Sequence, residues 1–101
     1  MWVIAMFDLP VLTKEQKRRY RQFHDALETI GFSMLQYSVY GRPCASPENA
    51  EYHVGRVKAK LPPEGEVRIL KLTSLQFSRM EVFCGQKAAS PEDPPAQISL
   101  F

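Results

Sequence analysis

The chain has 101 residues, which suits one hydrophobic core and is too short for two at the usual size of roughly 100–200 residues per domain. Hydrophobic residues make up 45% and charged residues 24%, a balance that excludes a disordered or fibrous chain. Lysine and arginine number 13 against 11 acidic residues, and the resulting +2 is too small to announce a nucleic-acid binder by itself. The distribution says more than the sum. Residues 14–21 hold Lys14, Lys17, Arg18, Arg19 and Arg21 against Glu15 alone, while the rest of the chain is net acidic. No apolar run approaches the roughly 18 residues of a membrane span, so no membrane association is expected. The apolar start is short, lacks a basic leader and runs into Asp8 and Pro10, which reads as a strand rather than a signal peptide. Cys44 and Cys84 have no close-spaced partner, so neither a disulfide framework nor a cysteine zinc site is expected, and a cytoplasmic protein with reduced thiols is.

Residues 2–7 form a continuous apolar run, which predicts a central strand covered on at least part of both faces and stopped by Pro10. Thr13 reads as a helix N-cap, with Gln16 completing a capping box and Gly31 ending the helix. At 100° per residue Tyr20, Phe23, Leu27 and Ile30 share one side, and Lys14, Lys17, Arg18 and Arg21 the other. Arg19 departs from the stripe, toward the end of the first strand. Residues 32–42 favour strand, with a tight turn near Gln36 and Tyr37 dividing them. Ser46 and Pro47 open a second helix whose apolar positions are Ala50, Val54, Val57 and Leu61, stopped by Pro62 and Pro63. Residues 67–72 read as a strand, 74–78 as a helical turn and 80–84 as a short last strand of the body. The body thus spans residues 1–85. Residues 86–101 form a tail: a proline-bearing extended linker, then an apolar alternating terminus, 97–101, expected to add as a strand to a sheet edge. Two helices on one mainly antiparallel sheet make a two-layer α+β sandwich of ferredoxin-like type, βαββαβ, with an extra C-terminal strand.

Asp8 closes the apolar run at the carboxyl end of the predicted central strand. It is either a ligand for a hard cation such as Mg²⁺ or a turn-forming aspartate ahead of Leu9 and Pro10. One carboxylate makes a poor metal site, and a symmetric dimer supplies a second. The basic stripe of Lys14, Lys17, Arg18 and Arg21 suits a phosphate backbone or is a solvated helix face. Tyr37 and Tyr40 either stack on bases or pack in a core or interface, and Arg42 is either a phosphate contact or an ordinary surface group. His24 and His53 stand alone, in packing or surface roles. The sequence has no Gly-rich phosphate loop, G-x-S-x-G or H-E-x-x-H, so nothing supports triphosphate hydrolysis, serine hydrolase or zinc protease chemistry.

Phe7-Asp8-Leu9-Pro10, the basic helix ending in Gly31-Phe32, and Gln36-Tyr37-Ser38-Val39-Tyr40 together resemble the small ferredoxin-like CRISPR-associated nuclease of spacer acquisition, the partner of the CRISPR integrase. The opening and the apolar tail are closest to members from systems with a single large effector nuclease. The resemblance covers residues 1–85. It implies a homodimer whose final strand packs across to its partner, with Asp8 of each protomer on the dimer axis as catalytic residue and Mg²⁺ ligand. It implies a role in bridging integrase dimers and carrying a DNA duplex, with endonuclease activity on single-stranded RNA or on DNA. Arg19 is then expected to contact a phosphate oxygen, Ser38 to orient water or substrate, and Lys14, Lys17, Arg18, Arg21 and Arg42 to bind nucleic acid. Many members carry tyrosine before the aspartate; the chain has Phe7, so that hydroxyl is absent. The competing classes are a toxin-type ribonuclease of the same fold and a non-catalytic, metabolite-sensing module.

Overall fold

The computed structural model describes residues 1–94. Strand β1 (Trp2–Asp8) is followed by helix α1 (Lys14–Ile30), strands β2 (Ser33–Gln36) and β3 (Val39–Pro43), helix α2 (Pro47–Lys58) and strand β4 (Glu66–Leu72). A short helix α3 (Ser74–Ser78) and strands β5 (Val82–Cys84) and β6 (Lys87–Ala89) follow. The first four strands form one antiparallel sheet in the order β2-β3-β1-β4. This is a ferredoxin-like α+β sandwich, as the sequence predicts.

β1 lies in the interior of the sheet, and alternation sends its residues to two cores. Val3, Ala5 and Phe7 pack with Phe23, Leu27 and Ile30 of α1 and Ala50, Val54 and Val57 of α2. Trp2 and Ile4 face the opposite side, where Phe77 of α3 stacks on Trp2 with centroids 3.9 Å apart and planes 7° from parallel. Two buried faces explain the unbroken apolar run.

Both long helices begin where their caps place them. The Thr13 hydroxyl accepts from the Gln16 N–H, and the Gln16 side chain accepts from the Thr13 N–H. The Ser46 hydroxyl accepts from the Asn49 N–H, with Pro47 in the first turn. α1 ends at Gly31, whose φ of 106° lies in the left-handed region that glycine adopts without Cβ strain. Its last turn has no basic residue. Arg42 of β3 fills that role, donating from Nε to the Ile30 carbonyl at 2.8 Å and from Nη1 to the Pro43 carbonyl at 2.8 Å.

Three expectations change. α2 stops at Lys58, so Leu61 falls beyond it, 48% exposed rather than in the core. The strand expected last in the body does not join the four-stranded sheet. β5 pairs with β6 instead, through a two-residue turn with Gly85 at φ 65°, the left-handed placement that a tight hairpin favours. The linker expected from residue 86 therefore starts as a strand, because that turn lets β5 meet its hydrogen bonds locally. The strand expected at 97–101 lies outside the described residues.

Two substitutions test this packing. Phe77→Ala uncovers Trp2 and is expected to cost about 3–5 kcal/mol in urea unfolding; a loss under 1 kcal/mol removes α3 from the core. Arg42→Gln cuts the charged bonds to α1's terminal carbonyl and is expected to cost about 1.5–3 kcal/mol in the same assay.

Candidate functional site

Asp8 is the last residue of β1 and is exposed. Alternation places its carboxylate on the sheet face opposite α1 and α2. The residue before it is its anchor. Phe7 is buried, with ring centroids 5.2 Å from Phe23, 5.6 Å from Tyr40 and 5.7 Å from Tyr20. A phenol at Phe7 would point into this core and away from the Asp8 carboxylate. The Phe7 N–H donates to the Ser38 carbonyl at 3.1 Å, which ties the β2–β3 turn to the strand end. Ser38 holds φ at 64°, a left-handed conformation costly for a residue with a Cβ. On the other side Gly65, with φ 87°, lies so close that a Cβ there would stand 2.7 Å from the Asp8 carbonyl oxygen. Three segments thus converge on the backbone at Asp8.

Register supplies a carboxylate that the sequence hid. Asp8 lies directly opposite Glu66 across the β1–β4 ladder, on the same face. Glu66 accepts from Arg68 Nε at 2.9 Å. Among the described residues the Asp8 carboxylate has no side-chain hydrogen bond or ion pair, so it is not spent on its own turn. Its oxygens are hard donors of the kind Mg²⁺ takes, with water completing the coordination.

The surface around Asp8 is flat. Met6 is opposite Val39 and Arg68, and Ile4 is opposite Gly41 and Leu70. Met6 and Val39 are half-buried and Leu70 is exposed. Among the described residues, α3 packs on this face through Phe77, in one cluster with Trp2 and Ile4 that Met6 and Val39 border. A cleft of about 600 Å³ lies elsewhere, between α1 and the end of α2, and includes Phe23, Ile30, Arg56 and Pro62.

The basic residues of α1 sort into two groups. Lys14, Lys17 and Arg21 are exposed and have no carboxylate partner among the described residues. Arg18 donates from Nε to Glu15 at 3.0 Å, and that bond holds the Glu15 carboxyl below its usual range. Arg19 does reach the loop after β1, lining a small crevice with Leu9 and Pro10. Its guanidinium is engaged by Glu64 at 2.9 Å and Glu15 at 3.3 Å rather than left open. Arg42, expected either at a phosphate or at the surface, is half-buried and bonded to the backbone carbonyls already described. The Ser38 hydroxyl sits 3.4 Å from the Tyr20 hydroxyl, on the α1 side of the turn.

Between α1 and that turn runs a second cleft, about 460 Å³, lined by Lys17, Tyr20, Arg21, Met34, Tyr37 and Tyr40. Tyr20 and Tyr37 lie 21° from parallel with centroids 6.3 Å apart. Tyr40 is buried, which pushes its phenol up from the usual value, and His24 meets its ring edge-on. His24 is not isolated, contrary to expectation. It forms a cluster with Asp25 and Glu28 whose potential ligand atoms lie within 4.8 Å of one another. Its Nδ1 is 3.2 Å from Asp25 and 3.5 Å from Glu28, so the cluster satisfies itself. His53 is buried in α2, where burial, then Arg42 and Arg56, lowers its pKa.

No helix among the described residues is long and apolar enough to cross a membrane. The model of a protein family described as CRISPR associated protein Cas2 matches residues 1–80. A CRISPR-associated endoribonuclease Cas2 of Parvibaculum lavamentivorans is 50% identical over 101 residues, covering all of both chains. One of Flavobacterium psychrophilum is 40% identical over 101 residues, covering all of this chain and 88% of that one. One of Ligilactobacillus salivarius is 41% identical over 87 residues, covering 86% of each. A match over most of the sequence, with identities this high, places the Asp8-terminated strand and the ferredoxin-like sandwich in a known lineage: the chain belongs to the CRISPR-associated Cas2 family.

Proposed function

We propose that the protein acts in CRISPR adaptation as a cytoplasmic homodimer that binds duplex DNA, bridges the CRISPR integrase subunits, and has Mg²⁺-dependent phosphodiesterase activity on RNA or DNA. The observation that carries this reading is the unspent Asp8 carboxylate at the edge of an apolar sheet face that the chain's own long helices do not cover. Burying Met6, Val39 and Leu70 against a second copy favours association. A twofold axis near the end of β1 then sets one Asp8 against another. The relatives named endoribonuclease support cleavage chemistry in general.

The residues fit the ion, since carboxylate oxygen is its preferred ligand and Asp8 has oxygens to give. Asp8 would hold the ion, which would supply an acidified water and positive charge to offset that developing on the phosphate. The chain's own contribution is position. Phe7 fixes the strand end, Ser38 braces it through its carbonyl, and Gly65 lets β4 close against it. Arg19, held by Glu15 and Glu64, anchors the loop after β1 to α1, and would reach a phosphate brought to that loop only by exchanging one of those carboxylates. The open cations Lys14, Lys17 and Arg21 set the line along which a phosphate backbone lies, with Arg18 adding a charge partly offset by Glu15. Arg42 supports that line indirectly, by holding the end of α1.

Asp8→Ala in the purified dimer is expected to reduce metal-dependent cleavage to the level without enzyme and to remove the Mg²⁺ binding isotherm in calorimetry. Unchanged cleavage would place the activity elsewhere. Reversing Lys14, Lys17 and Arg21 to glutamate is expected to weaken duplex binding. It should also flatten the plot of log affinity against log salt by about 0.9 for each phosphate no longer neutralised. A slope that stays the same takes the stripe out of the duplex interface.

A further inference from the structure

We propose that the cleft between α1 and the Tyr37–Ser38 turn holds an unpaired base of a nucleic-acid strand, stacked on Tyr37, with the flanking phosphates on Lys17 and Arg21. The inference rests on the nucleic-acid reading above and adds to it a subsite for single-stranded nucleotide, where the cationic line of α1 passes the cleft.

The cleft combines two features that a solvated helix face lacks. The first is flat aromatic surface. Tyr37 is 77% exposed and Met34 55%, side by side with the Tyr20 ring in near-parallel orientation. Other side chains are as exposed; here the exposed groups are gathered at one cleft, beside open cations. Every base has a π-face, so stacking on tyrosine tolerates any sequence. The second feature is charge. Lys17 and Arg21 are one helical turn apart on the rim, and among the described residues no carboxylate engages either. Arg18, one residue from Lys17 but on a different line of the helix, is already engaged by Glu15. Cations left open beside exposed rings match an anion that carries its own aromatic ring, which is a nucleotide. Phenols are uncharged at neutral pH, so no phenolate opposes the phosphate.

The platform is also fixed in advance. The Tyr37–Ser38 turn is held by the Phe7 N–H and by the contact of the Ser38 and Tyr20 hydroxyls, and Ser38 keeps its left-handed conformation there. A ring held in place loses little freedom when a base stacks on it. The volume of about 460 Å³ falls within the usual range of small-ligand sites.

The test compares binding of one duplex in three forms by fluorescence anisotropy: blunt, with a short single-stranded overhang, and with the same overhang made abasic. The wild-type protein is expected to prefer the overhang over the other two by about five- to a hundredfold. Tyr37→Ala should close that gap, and Tyr37→Trp should keep it. A wild type that binds blunt and overhang duplexes alike, or a Tyr37→Ala variant that keeps the preference, overturns the subsite and leaves duplex binding standing. Should Tyr37→Ala alter only the sedimentation of the protein, the cleft is a protein contact and the proposal fails. Binding of none of the three forms would sink the nucleic-acid reading itself, and the subsite with it.

Discussion

One strand, packed on both faces, governs the site. Alternation along β1 drives Phe7 into an aromatic cluster with Phe23, Tyr20 and Tyr40, and so turns Asp8 to the other side of the sheet. Burying a ring the size of phenylalanine contributes about 1.5–3 kcal/mol. A one-residue slip of the strand would expose that ring and bury the carboxylate without a partner, a second and larger cost. The core therefore enforces the register, and the register decides where the acid points. Position of the Asp8 carboxylate follows from apolar packing one residue away; among the described residues no side-chain contact of its own sets it.

The same constraint bears on where concave surface lies among the described residues. Helices α1 and α2 occupy the Phe7 face, so deep concave surface lies between and beside them. Among the described residues the Asp8 face carries α3, whose Phe77 stacks on Trp2 at the far end of the strand. Met6, Val39 and Leu70 make that face apolar around the exposed Asp8 carboxylate.

Much of this was legible in the sequence because local signals carried it. The run 2–7, the Thr13–Gln16 capping box, Gly31 and Ser46-Pro47 each fix an element within a few residues of themselves, and each appears where expected. What escaped depends on pairing between distant segments. Glu66 opposite Asp8 follows from the β1–β4 register, and nothing near either residue announces it. Arg42 reads from sequence as a phosphate contact or a surface group; it caps α1 because β3 runs beside that helix end. The β5–β6 hairpin was hidden for a different reason. Three-residue strands carry too little periodicity, and the signal that could have found them was Gly85 set between them. The His24 cluster was there to be read, since Glu28 lies four residues from His24 and three from Asp25, the spacings that share a helix face.

α1 links these observations, because its periodicity assigns neighbouring residues to different tasks. Phe23, Leu27 and Ile30 close the core under Phe7. Arg19, one position from Arg18, leans toward the loop after β1 and Glu64 instead of into solvent. Lys17, Tyr20, Arg21 and His24 turn to the β2–β3 hairpin. Adjacent cations on one helix are thus not equivalent. Two are held by carboxylates and cost little to keep in place, while Lys14, Lys17 and Arg21 repel one another along an exposed face. That repulsion is screened in water to well under about 1 kcal/mol per pair at these spacings. It persists as free charge, and free charge beside Tyr20 and Tyr37 is what distinguishes this face of the helix from an ordinary solvated one.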